Sequence, residues 1–203
     1  MYKNFLKRVI DIIVSLIALL LLWPLFIVIA ILIKFDDKGP VFYKQIRTGK
    51  NGVNFEMFKF RTMKACKRGD EMKMSHEERV TKIGKFLRSS SLDELPQFLN
   101  VLSGKMSFIG PRPWIVEYYE RFNDEQKRRV NVRPGIIGLA QSKGRNGLSI
   151  FEKIKYDLKY VDNLTFLMDL KILFESVKVV FKKEHTEIVQ EDIKEELRQL
   201  EAQ

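Results

Sequence analysis

Residues 12–33 read Ile-Ile-Val-Ser-Leu-Ile-Ala-Leu-Leu-Leu-Leu-Trp-Pro-Leu-Phe-Ile-Val-Ile-Ala-Ile-Leu-Ile, and the path of this stretch decides the fold. It carries no charge, and its length is about the 20 residues a helix needs to cross a bilayer. No small-x-small site follows and the apolar run is too long, which speaks against a cleaved signal peptide. Pro24, near the middle, removes a backbone hydrogen bond and bends a helix. Both flanks are basic, with Lys3, Lys7 and Arg8 before the run and Lys34 and Lys38 after it, so no Lys/Arg bias orients a span. Two paths stay open on these residues: a spanning helix, or a helix that bends at Trp23-Pro24 and leaves by the face it entered. Met1 to Asp11 forms an amphipathic lead whose bases suit a headgroup surface.

Outward from the run, the chain turns soluble in character after Gly39-Pro40. Residues 41–43 and 53–60 read as short strands joined by a Gly49, Asn51, Gly52 turn. The second ends in Phe58-Lys59-Phe60-Arg61-Thr62-Met63, an edge strand with solvated bases unless Lys59 or Arg61 faces an anion. Residues 64–82 are a charged surface segment. A short helix follows, with Val80, Ile83, Phe86 and Leu87 on one side.

Ser91-Leu92-Asp93-Glu94-Leu95-Pro96-Gln97 puts two adjacent carboxylates before a proline. Ser91 and Glu94 have capping-box spacing, and Pro96 suits a helix start. Leu95, Phe98, Leu99 and Leu102 continue at helical spacing, and Ser103-Gly104 ends that helix. Gly110-Pro111-Arg112-Pro113 fixes the backbone on both sides of Arg112, as a rigid connector or as a mount for a guanidinium that forks onto phosphate. Residues 114–129 read as one helix ending in a basic cluster, Lys127-Arg128-Arg129. Residues 132–147 hold four glycines, with Arg133, Lys143 and Arg145, in an irregular loop that could cradle a diphosphate but matches neither the Walker nor the Rossmann pattern. Residues 149–162 and 165–181 read as helices; the second is apolar over much of its circumference and suits a core or a lipid surface. The last stretch has Val189, Ile193, Leu197 and Leu200 on one side, which suits docking or homodimerisation.

The 203 residues carry a net charge of +10, and residues 184–203 alone carry −5, which leaves +15 on the rest. A basic body suits polyanions: nucleic acid, anionic lipid or phosphate-rich substrates. The single cysteine, Cys66, excludes an intrachain disulfide, and His76 and His185 lie far apart in charged segments, which speaks against a histidine metal site or a Ser-His-Asp arrangement within one chain.

The motifs at 58–63, 91–97, 106–113 and 133–141, with the apolar N-terminus, resemble the bacterial sugar transferases known as monotopic phosphoglycosyl transferases, over roughly residues 1–183. In length the chain resembles the small members that begin glycan assembly for bacterial protein N-glycosylation. The resemblance implies an α+β fold: a re-entrant membrane helix (1–38), a small cytosolic α/β catalytic core at the interface with interfacial helices (39–183), and an acidic tail (184–203) outside the match. It implies transfer of a phosphosugar from a UDP-sugar, an N-acetylated hexosamine derivative, to polyprenyl phosphate with release of UMP. It further implies Asp93 as nucleophile of a two-step covalent route, Glu94 as a Mg2+ ligand, Lys59, Arg112 and Arg145 around the diphosphate and nucleotide, and Asp157 nearby. The implied location is the bacterial inner membrane, catalytic domain on the cytoplasmic face, with no nucleic-acid partner. Members often place serine before the helix-breaking proline; here it is Trp23. A UDP-hexose donor and a non-catalytic membrane scaffold are the alternatives.

Physical chemistry suits this division of labour. An aspartate is already ionised at neutral pH and needs no general base to attack phosphorus. Mg2+ is commonly held by one or two carboxylates plus phosphates and water.

Overall fold

Both ends of the long apolar helix are fastened to the globular body, while its middle stands clear. The computed structural model describes residues 2–64, 75–144, 147–181 and 193–201. After a π-helical turn (Tyr2–Leu6), helix α1 (Lys7–Asp36) runs with Pro24 inside it. It is long and apolar enough to cross a membrane by length and composition. Leu20, Leu21 and Trp23 are exposed. Near its start, the Arg8 guanidinium donates to Val101 O (2.6 Å) and Leu102 O (2.9 Å). Those are carbonyls of the kind a helix end leaves unpaired. Asp11 is buried and accepts from Ser107 Oγ (3.1 Å) and Phe108 N (2.9 Å). Near its end, Ile29 and Ile33 bury against Phe60 and Leu87, with Leu92 and Leu95 alongside.

A β-hairpin follows. Strands β1 (Phe42–Thr48) and β2 (Asn54–Phe60) pair antiparallel, Tyr43 opposite Lys59 and Arg47 opposite Phe55. The first strand runs five residues past the expected Tyr43, because its partner offers pairing as far as Asn54. Asn51 (φ 57°) and Gly52 (φ 77°) take the left-handed conformation that closes the turn. The buried Asn100 amide fixes the hairpin: Nδ2 donates to Glu56 O (2.7 Å) and Oδ1 accepts from Phe58 N (2.9 Å). A side chain thus completes the ladder of β2 and sets Lys59, one residue on, beside α4 (Gln97–Leu102).

Between hairpin and α4 lie α2 (His76–Arg79) and α3 (Lys82–Ser89). Residues 65–74 of the expected charged segment, Cys66 included, lie outside the described residues. The expected apolar stripe of α3 is half right: Leu87 is buried, but Phe86 is exposed and Gly84 faces in. A Cβ on Gly84 would stand 2.1 Å from Thr62 O, so the helix rests on bare backbone there.

The expected single helix 114–129 is broken into α5 (Val116–Arg121), α6 (Asp124–Lys127) and a 3-10 turn (Arg128–Asn131). A capping box between Asn123 and Gln126 starts α6 afresh. The glycine-rich loop is also more regular than its composition suggests. It contains β4 (Gly135–Ile137), parallel to β3 (Ser107–Ile109), and α7 (Leu139–Gly144). A Cβ on Gly135 would lie 2.1 Å from Gly110 N, so this glycine serves a close backbone crossing rather than a phosphate cradle. Helices α8 (Ile150–Asp162) and α9 (Phe166–Phe181) follow as expected. Tyr160, Val161 and Ile172 form a core with Ile109, Val132 and Leu139. From the tail, α10 (Ile193–Glu201) docks on its own chain. Leu200 is buried with Tyr118, Phe122, Ile150 and Ile154, and Tyr118 donates to Glu196. The described residues are a mixed helix and sheet fold, with two separate two-stranded sheets.

Gly84→Ala will destabilise the protein by about 1–3 kcal/mol or more, since the added carbon must push backbone aside. Thermal unfolding in detergent measures this; an unchanged midpoint would show that α3 can move off Thr62 freely.

Candidate functional site

Asp93 and Glu94 lie in a 3-10 turn (Leu92–Glu94) between α3 and α4. The expected capping box is absent. Ser91 takes a left-handed conformation (φ 58°, ψ 16°) and its side chain caps nothing. The reason is electrostatic: the Glu94 side chain is drawn toward cations instead of back to Ser91 N–H. Glu94 Oε1 accepts from Lys59 Nζ (2.6 Å) and from Arg112 Nη2 (2.8 Å). Its Oε2 receives a longer contact from Arg112 Nη1, at 3.5 Å. Asp93 is buried, and its nearest cation, Lys59 Nζ, is 3.6 Å from Oδ2. Pro96 sits where α4 starts, as its chemistry favours.

These contacts give neighbouring carboxylates opposite character. Burial raises the Asp93 carboxyl above its ordinary value; Lys59 opposes this and Glu94 adds to it. Burial also opposes ionisation of Glu94, but Arg112 and Lys59 outweigh it and hold that carboxyl well below the usual range. Two carboxyls driven apart in this way suit two different jobs. The Asp93 oxygens are the less clasped and more basic; those of Glu94 stay ionised and tied.

Of the residues expected around this centre, Lys59 and Arg112 converge on it. Asp157 does not touch it. It is buried in a pair with Arg129 Nη2 (2.6 Å), and burial raises its carboxyl against the pull of Arg129. The same Arg129 nitrogen donates to Arg112 O (2.7 Å), and the guanidinium lies over the Trp114 ring at 4.5 Å. Asp157 therefore holds Arg129, which holds the backbone of Arg112. Arg61 pairs with Asp37 rather than facing the carboxylates. Arg145 lies outside the described residues.

Three cations escaped the sequence reading. Arg129 was visible only as part of a basic run. Arg88, at the end of α3, donates from Nε to Thr62 Oγ1 (2.9 Å), and its charge bears on Asp93. Arg47, on β1, has its charge disfavoured chiefly by burial and then by the like charge of Arg112. Its position alternates in register with Tyr43 opposite Lys59, a signal available only once the pairing is known.

As a set, the residues can hold polyanions and present one basic carboxylate to an electrophile. Among the described residues no group of three His, Cys, Asp or Glu gathers as a metal cage. Two hard carboxylates side by side are, however, what a Mg2+ that keeps phosphate and water ligands takes from a protein.

Comparison with known proteins adds a second line. A family model described as bacterial sugar transferase matches residues 2–183. A UDP-glucose:undecaprenyl-phosphate glucose-1-phosphate transferase of Klebsiella pneumoniae is 45% identical over 181 residues, 84% of this chain and 39% of that protein. An uncharacterised sugar transferase, EpsL, of Bacillus subtilis is 40% identical over 179 residues, 88% of this chain and 89% of the relative. The exopolysaccharide production protein ExoY of Rhizobium meliloti is 39% identical over 193 residues, 86% of this chain and 84% of ExoY. The chain thus spans under half of the Klebsiella protein and most of the other two.

The carboxyls of Asp93 and Glu94 will titrate on opposite sides of their ordinary values, about 3.9 and 4.3. Side-chain carbon NMR on selectively labelled protein reads this directly. Two coincident, unshifted midpoints would contradict the geometry.

Proposed function

This chain belongs to the bacterial sugar transferase family, and from that premise we propose that it moves a phosphosugar from a UDP-sugar to polyprenyl phosphate, releasing UMP. The observation that carries the reading is the buried, loosely paired Asp93 beside a Glu94 clasped by Lys59 and Arg112. In the first step an Asp93 oxygen forms a bond to the sugar-bearing phosphorus. The bond from that phosphorus to the bridging oxygen breaks, and UMP leaves with the electron pair. In the second step a phosphate oxygen of the polyprenyl acceptor attacks the same phosphorus, and the Asp93 carboxylate is restored. No proton moves in either exchange, which suits a site to which the described residues bring no histidine. Catalysis is then positioning and charge stabilisation, as in phosphoryl transfer generally.

Lys59 and Arg112 neutralise Glu94 in the free protein and are placed to turn toward the incoming diphosphate. Glu94 would hold Mg2+; its Oε2 has only the long Arg112 contact. A bound Mg2+ would neutralise charge on the diphosphate. Asp157 and Arg129 keep Arg112 in place. The likeness to small N-glycosylation enzymes favours an N-acetylated hexosamine donor. A hexose donor is the second reading, supported by relatives named for glucose and galactose.

We also propose that α1 is re-entrant and sits in the bacterial inner membrane, with the catalytic residues on the cytoplasmic face. A straight helix would set Arg8 and Ile33 about 37 Å apart, at 1.5 Å per residue. Yet Arg8 reaches Val101 and Leu102, and Ile33 packs with Leu92 and Leu95, all within one short stretch. The exposed Phe166, Leu167, Leu170 and Phe174 of α9 suit the same lipid surface.

Two experiments test these readings. A panel of UDP-sugars with polyprenyl phosphate and Mg2+ will yield UMP, and Asp93→Asn will lower turnover by about 10³-fold or more, the scale seen for loss of a nucleophile. Near-normal turnover in that variant would refute the nucleophile. No UMP from any donor, with membrane binding intact, would favour a scaffold. In a chain with Cys66→Ser, Lys3→Cys and Lys38→Cys will both label from the cytoplasmic side only. Labelling from opposite sides would establish a span.

A further inference from the structure

The acidic helix α10 lies across two helices at once. Ile150, Ile154 and Asp157 fall on one side of α8, at helical spacing. The first two bury in one cluster with Leu200 of α10, and Asp157 pairs with Arg129. Tyr118 and Phe122, on α5 and at its end, bury in the same cluster, with Leu197 packed against it. Polar ties fix α10 in place. Tyr118 Oη donates to Glu196, Arg121 Nε donates to Glu201 Oε1 (2.6 Å), and Lys153 Nζ stands 3.6 Å from Glu196 Oε1. Glu196 thus reaches a residue of each helix.

Arg129 is held between groups that these two helices supply. Asp157 of α8 takes Nη2 at 2.6 Å. Against its other side lie aromatic rings: the guanidinium carbon is 4.5 Å from the centre of Trp114 and 5.8 Å from that of Phe122. Trp114 packs edge-on against Tyr118, with 5.0 Å between ring centres, and at a tilt against Phe122, at 5.3 Å. The rings that α10 packs on are therefore the rings that support Arg129. A cation over a ring is attracted most strongly where water is excluded. Leu200, itself buried, closes one side of that cluster to water. From this setting Arg129 Nη2 donates to Arg112 O at 2.7 Å.

We propose that α10 is a positioning element for Arg112. It clamps α5 to α8, the clamp sets Arg129 between Asp157 and the rings, and Arg129 sets the backbone that carries Arg112. Leu200 is the residue on which the clamp turns, because it meets both helices. The clamp comes from outside the matched family unit, since α10 lies beyond residues 2–183. Its effect on turnover rests on the transferase reading above. The chain of contacts from Leu200 to Arg112 stands without that reading.

The test uses the full chain in detergent. Leu200→Asp puts a charge into a buried apolar cluster and will release α10. Trp23 and Trp114 are the two tryptophans, so a Trp23→Phe background makes emission report on Trp114 alone. On release, that emission will move to longer wavelength and acrylamide will quench it more. The KM for UDP-sugar will rise by about tenfold or more, the scale of a displaced binding group, while the KM for polyprenyl phosphate stays as in the parent. In an Arg112→Gln background the same substitution will add about twofold or less, because both act through one group. Leu200→Met, apolar and of similar size, will restore the parent values. Leu200→Ala replaces the aspartate variant if that one does not fold, and will shift both readouts in the same direction. Ile172→Val, in the separate cluster with Tyr160, will lower the thermal midpoint and leave the KM for UDP-sugar unchanged. Unchanged Trp114 emission and KM in the Leu200 variants would overturn the proposal. So would a full effect that persists without Arg112, or an equal rise in Ile172→Val. Failure of the parent chain to release UMP from any UDP-sugar would instead overturn the transferase reading.

Discussion

One carboxylate, Glu94, is shared between Lys59 and Arg112, and the elements around it are arranged to make that sharing possible. Its three members come from a hairpin strand, a 3-10 turn and a proline-bounded connector, far apart in the chain. Burying a carboxylate is costly unless it is paired, and here two cations meet one oxygen. The neighbour benefits by contrast. Because Glu94 takes the short contacts, Asp93 keeps a 3.6 Å distance from Lys59 and a carboxyl raised by burial. Adjacent residues of the same chemistry thus acquire different reactivity from their partners alone.

Each member is held by a polar group that does no chemistry. Lys59 follows Phe58, whose N–H is bonded by the Asn100 amide. Arg112 is held through its own carbonyl by Arg129, which Asp157 balances. The Asp93 turn lies on the apolar cluster that includes Ile29 and Ile33 of α1. The helix proposed to enter the lipid is in this way part of the floor of the site. Anchoring and chemistry share one core, and a phosphate carried on a lipid would meet Asp93 close to the surface it came from.

Much of this was visible in residue patterns, and the misses have physical causes. The apolar run, the hairpin, α4, α8 and α9 follow from periodicity and punctuation, which depend on local sequence. Asp93, Glu94, Lys59 and Arg112 stood out because charge beside proline or an apolar strand is unusual and the spacing resembled a family. The capping box at Ser91 failed because Glu94 has stronger partners than a backbone N–H. The helix over 114–129 failed because Asn123 and Gln126 restart it locally. Glycines that read as a phosphate cradle are partly consumed by the crossing of Gly110 and Gly135. Phe86 looked like core and is exposed, because Gly84 is the residue that meets Thr62.

By itself, the sequence determined the apolar anchor segment, the basic body, the order of the elements and the identity of the paired acids, because each is a property of composition or short-range spacing. With one cysteine it also excluded an intrachain disulfide. The tertiary structure alone decided which cations face which acid and that Asp157 is joined to Arg112 only at one remove, through Arg129. Those facts depend on strand register and on contacts between residues tens of positions apart. The attraction between charges depends on distance and on exclusion of water, and neither is written in any local stretch of residues.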